Sequence, residues 1–118
     1  MVRVSYPESG FANMLGQLIE QNLREASKAE IAKNMKGEIY LEIRDIEVGA
    51  TVEFKGEDVE VRNEKPEKPF AMISVADYNT LSLVSSSGIL KQLRLILSGK
   101  LKIKNMGFAR KFGALLRP

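Results

Sequence analysis

The spacing of apolar residues changes repeatedly along this chain, and each change marks a new element. Phe11, Met14, Leu15, Leu18, Ile19 and Leu23 step mostly by three and four, with Gln17, Glu20, Gln21 and Arg24 between them, which predicts an amphipathic helix. Ser5-Tyr6-Pro7-Glu8 has the spacing of a capping box and is expected to start it. Ser27-x-x-Glu30 repeats that spacing before a short second helix carrying Ile31 and Met35, with Gly37 as its stop. From Glu38 the period falls to two: Ile39, Leu41 and Ile43, then Val52 and Phe54, then Val59 and Val61 alternate with polar residues. Gly49-Ala50 and Gly56-Glu57-Asp58 supply turn residues between these runs, so the segment reads as a three-strand antiparallel meander.

The charged, proline-broken stretch NEKPEKP at 63–69 is expected to leave the meander and cross to another place in the sheet. Residues 70–75 then form a fourth strand whose lack of alternation predicts burial on both faces. Asp77 is placed to cap a helix through Tyr78, Leu81 and Val84, and a second apolar helix carries Ile89, Leu90, Leu93, Ile96 and Leu97 after the break at Ser85–Gly88. Beyond Gly99, Lys100, Lys102 and Lys104 alternate with Leu101 and Ile103 as a fifth strand. Phe108, Phe112, Leu115 and Leu116 recur at helical spacing and close the chain. The whole predicts one α+β domain over 1–118, a five-stranded mixed sheet covered by helices.

Composition narrows the chemistry. With no cysteine and no histidine, disulfides, thiolate nucleophiles, thiolate metal sites and the commonest catalytic base are all excluded. The three consecutive serines have no base placed by a recognisable motif. Asp45 with Glu47, and Glu57 with Asp58 and Glu60, match no cation-binding loop, and no glycine pattern fits a phosphate or dinucleotide site. No catalytic residue, metal or cofactor is therefore expected. No apolar run is long enough to span a bilayer and the N-terminus has no signal-peptide core, so a cytoplasmic protein is expected.

Charge is divided unevenly. Through Asp77 the chain has ten basic and fifteen acidic residues; residues 78–118 have eight basic and none acidic. Such asymmetry suggests a surface for anions, with plain solubilising charge as the alternative.

Two stretches resemble the sterol carrier protein-2 family: PFAMISVADYNTLSLVSSSG at 69–88 and LSGKLKIKNMGFARKFGALL at 97–116. In element order the resemblance covers nearly the whole chain. It implies a mixed five-stranded sheet backed by helices, with an apolar tunnel that holds a fatty acid, fatty acyl or sterol-like ligand without altering it. By position the lining would be Leu81, Val84, Ile89, Leu93, Leu97, Met106, Phe108 and Phe112, each of which could equally be ordinary core. The chain departs from the family at Pro69-Phe70, where an aspartate is frequent, and at Asn105, where glycine is frequent after the Lys-x-Lys strand. The first bears on ligand selection and the second on the angle of the last helix.

The expected function is thus non-catalytic lipid binding or transfer. Lys100, Lys102, Lys104, Arg110 and Lys111 would meet a transient anionic membrane surface, unless the lysines only guard an edge strand. Two alternatives stand beside this reading: a nucleic-acid binder using the basic third, which lacks an aromatic platform, and a ligand-free module that forms a homodimer through an apolar helix face.

Overall fold

Strand register determines which side chains share a face. The structure, a computed structural model, describes residues 2–81 and 94–116. The meander consists of β2 (Lys36–Ile43), β3 (Val48–Lys55) and β4 (Asp58–Arg62), antiparallel throughout. After the crossover, β5 (Ala71–Val75) lies parallel to β2, and β6 (Leu101–Lys104) pairs antiparallel with β5 as an edge strand. Ile39, Leu41 and Ile43 therefore stand in line with Val52, Ala50 and Val48 on one side and with Ala71, Ile73 and Val75 on the other. This apolar face is covered by α1 (Phe11–Asn22), α2 (Ala26–Lys33) and α3 (Met106–Leu116).

The sheet has six strands, one more than the pattern predicts. The extra strand, β1 (Arg3–Ser5), lies parallel to β4 at the other edge, with order β1-β4-β3-β2-β5-β6. At three residues it is too short to show alternation. It is held by the Arg3 amide donating to the Glu57 carbonyl at 2.7 Å and by the Arg3–Asp58 ion pair at 2.9 Å. The Ser5 hydroxyl, expected to cap α1, instead points at the Val59 carbonyl across this pairing.

Both capping-box expectations are corrected, the first by a partner from elsewhere in the fold and the second by a local one. Gly10 is the N-cap of α1, and the missing side-chain acceptor is supplied by Asn63 from the end of β4, whose Oδ1 accepts from the Ala12 amide at 3.0 Å. Glu25 is the N-cap of α2, and Ser27 donates to the Glu25 carboxylate at 2.9 Å rather than capping. Asp77, by contrast, does cap the turn that follows it.

Two glycines read as stop and turn lie inside strands. Gly37, with φ of 139°, sits in β2 where the rings of Phe70 and Phe108 leave no room for a Cβ. Gly49 sits in β3 beneath Tyr40, and the turn before it spans 44–47 instead, with Glu47 at φ 51°. In both cases the missing side chain gives space to an aromatic ring.

The outer face is polar. In register, Glu38, Glu53 and Glu60 would stand side by side as like charges. Arg62 bridges them, donating to Glu53 at 2.7 Å and Glu60 at 2.6 Å and approaching Glu38 at 3.4 Å. The crossover at 63–69 passes over this face. The Thr51 hydroxyl donates to the Glu64 carbonyl at 2.6 Å and Lys65 lies 5.5 Å from the centre of the Tyr40 ring, so Thr51 and Tyr40 are buried on a side otherwise open to water.

On the inner face α1 and α3 are joined by a polar contact. Asn22, a buried side chain, donates to the Leu115 carbonyl at 2.9 Å, satisfying an orphan acceptor at the end of α3. Phe112 is fully buried, its ring edge-to-face with Phe54 at 6.2 Å. Asn22→Ala should cost about 1–3 kcal/mol by leaving that carbonyl unpaired, and Phe112→Ala about 3–5 kcal/mol by opening a cavity, both measured by urea unfolding. A change under ~0.5 kcal/mol in either would contradict the packing described.

Candidate functional site

Among the described residues, an opening remains in the cover of the sheet between α1 and α3. An apolar hollow of about 260 Å³ opens there, lined by Phe11, Met14, Leu15 and Leu18 of α1, Leu41 of β2, Tyr78, Leu81 and Leu116. Leu41 and Leu15 form its buried floor, while Met14 (68% exposed) and Tyr78 (67%) stand at its rim. One phenol hydroxyl is the sole hydrogen-bonding side-chain group in this set. The lining offers apolar contact and shape, without charge.

The rim at Tyr78 and Leu81 is positioned by Asp77. Its Oδ1 accepts from the Thr80 amide at 2.7 Å and from the Thr80 hydroxyl at 2.8 Å, and residues 78–81 form a helical turn after it. These bonds, the backbone one foremost, hold the Asp77 carboxyl below its ordinary pKa.

The expected lining residues are placed as follows. Leu81 lines the hollow. Phe112 is fully buried, and Phe108 is half-buried between Phe54 at 5.9 Å and Phe70 at 5.3 Å. Met106 is partly exposed at the opposite end of α3, and Leu97 is 87% exposed. Val84, Ile89 and Leu93 lie outside the described residues. The structure thus brings Leu81 together with α1, whose Phe11, Met14, Leu15 and Leu18 the sequence marks only as a helix face and not as a site. Their signal is nonetheless in the sequence: the apolar stripe of α1 is broad, and a sheet covers only part of so wide a stripe.

Of the basic residues, Lys102 and Lys104 are on the outer face of edge strand β6, in line with Ser74 and Met72, and Lys100 precedes them. Arg110 and Lys111 are exposed on α3, which packs on the inner face. These five do not gather on one surface. Asn105, where family members often carry glycine, has φ of 62°, the left-handed conformation glycine would take, and its side chain accepts from the Phe108 amide at 3.3 Å. Asparagine thus supplies both the bend and the cap of α3.

Among the described residues there is no group of three or more potential ligands for a metal ion, and no helix long and apolar enough to cross a membrane.

The sequence matches the SCP-2 sterol transfer family over residues 15–117. No curated protein matches it. Among solved structures it is similar to one described as UbiJ-SCP2 Ubiquinone synthesis protein, with TM-score 0.67, 18% identity, and coverage of 89% of this chain and 90% of that one. It is also similar to sterol carrier protein domain 2 of Helicoverpa armigera (TM-score 0.63, 21% identity, coverage 97% and 91%). A third is the apo form of Sterol Carrier Protein 2 from Yarrowia lipolytica (0.59, 20%, 93% and 92%). At these identities the likeness is one of fold.

Because the Asp77 pKa is lowered in the folded state, its contribution to stability is present above the unfolded carboxylate value and lost as pH falls through the folded one. The unfolding midpoint should therefore fall on acidification below about pH 4, and fall less in Asp77→Asn, which does not titrate. Parallel acid profiles of the two proteins would remove Asp77 from the account of the rim.

Proposed function

The chain belongs to the SCP-2 sterol transfer family, and we propose from this that it binds the apolar part of a lipid, a fatty acid, fatty acyl or sterol-like molecule, without chemical change to it. The hollow over Leu41 carries the reading. At about 260 Å³ it lies just under the ~300–1,000 Å³ usual for ligand sites, a size for part of a lipid rather than all of it. Its lining selects by hydrophobicity. Each methylene moved from water contributes about 0.8 kcal/mol, so about ten would give micromolar affinity before the cost of ordering. The polar head is left at the rim near Tyr78.

Among the described lining residues no side chain is a nucleophile or base at neutral pH, which supports holding a molecule over cleaving it. Release needs only that apolar contacts be exchanged for those of another lipid phase.

Protein purified without detergent should bind a fluorescent fatty acid, and ligand at about 100 times Kd should raise stability by about 2.7 kcal/mol. Leu18→Glu, a change at a partly exposed position, should weaken binding at least about tenfold with the ligand-free midpoint little altered. Undiminished affinity in that variant would place the ligand elsewhere, and a midpoint unmoved by fatty acid, sterol and isoprenoid quinone alike would defeat the reading.

A further inference from the structure

At the end of the sheet away from the hollow, Phe70 and Met106 are 50% and 44% exposed. They are neighbours. The Phe70 ring is edge-to-face with Phe108 at 5.3 Å, and Met106 stands two residues before Phe108 in the first turn of α3. Met106 begins α3 and Leu116, at the hollow, ends it, so the two places are separated by about 15 Å of helix. Phe70 is not loose: its ring rests on Gly37 and is edge-to-face with Phe108, which is edge-to-face with Phe54 in turn. A rigid aromatic chain thus runs from the core to an exposed tip.

Three lysines lie next to this tip along the chain. Lys36 precedes the glycine under the Phe70 ring, Lys68 is two residues before Phe70, and Lys104 is two before Met106. All three are exposed, and none makes an ion pair among the described residues. The acidic residues closest to these lysines in the chain are Glu67, next to Lys68, and Glu38, which faces Arg62. The excess at the tip is positive.

We propose that this tip is a docking site for an anionic phospholipid bilayer, with Phe70 and Met106 entering the interface while Lys36, Lys68 and Lys104 meet the headgroups. Charge complementarity selects this occupant. A second copy would set lysines against lysines, whereas an anionic surface pairs with all three and accepts the apolar side chains between them. Of the lysines on β6 only Lys104 takes part, since Lys100 and Lys102 run toward the other end of the strand. The inference does not depend on what fills the hollow, and either can fail alone.

The chain has no tryptophan, so Phe70→Trp places a sole reporter at the tip, and Tyr78→Trp, in a separate variant, places one at the hollow's rim. Vesicles containing anionic phospholipid should shift the emission of the Phe70→Trp variant to the blue, purely neutral vesicles should not, and salt should reverse the shift. In co-sedimentation, changing Lys36, Lys68 and Lys104 together to glutamine should weaken binding by on the order of 100-fold. Changing Lys100 and Lys102 should have little effect. No shift, an equal shift on neutral vesicles, or a shift in the Tyr78→Trp variant with none in the Phe70→Trp variant would overturn the proposal. So would a blue shift that grows with protein concentration in the absence of lipid, which would assign the tip to self-association. Native-like circular dichroism of each variant separates these outcomes from misfolding.

Discussion

Ile39, Leu41 and Ile43 form a buried row on β2, flanked in register by the apolar rows of β3 and β5, and the remaining structure is arranged to keep that face from water. Each such side chain contributes about 1.5–3 kcal/mol when fully covered. α1 lies toward β3, β4 and β1, and α3 toward β5 and β6. Neither helix alone spans the sheet. Asn22 joins them by its bond to Leu115, and Asn63 fixes the start of α1 to the end of β4, so two buried or half-buried polar contacts set the position of an otherwise non-directional apolar cover. The hollow is what remains above Leu41 between them.

The outer face follows opposite physics. Its glutamates would repel in register, and the Arg62 guanidinium, with Lys55 near Glu53 and Glu60, offsets that repulsion; the Glu60 carboxyl is held below its ordinary pKa chiefly by its hydrogen bond with Arg62. The crossover then buries Thr51 and Tyr40 under its own backbone. Among the described residues this face is occupied by internal polar pairs, whereas the apolar hollow lies on the other side.

α3 links the two features on which the proposals rest. Its last turn contributes Leu116 to the hollow, its middle contributes Phe112 to the core, and its first residue, Met106, stands at the exposed tip beside Phe70. Asn105 sets the angle at which the helix leaves β6, through a left-handed backbone and a side-chain cap in the same residue. Change at that residue would therefore move both ends of the helix relative to the sheet.

The order and type of the larger elements are written locally in the chain, because burying one face imposes a period of two or nearly four on each segment separately. The meander, the crossover, the Lys-x-Lys strand and the closing helix are all legible in this way, as is the family, through residues 69–88 and 97–116. Features that join residues far apart in the chain emerge only on folding. β1 exists because β4 offers an edge, Gly37 and Gly49 belong to strands because aromatic rings need their space, and α1 is capped by Asn63, 51 positions from the amide it accepts from. The candidate site belongs to this second kind. Apolar spacing marks Phe112 and Met14 alike as inward-facing, yet one is fully buried and the other lies mostly in water at the hollow's rim. Whether an apolar side chain fills core or borders a space is settled by how far its neighbours' elements reach, and no local period records that.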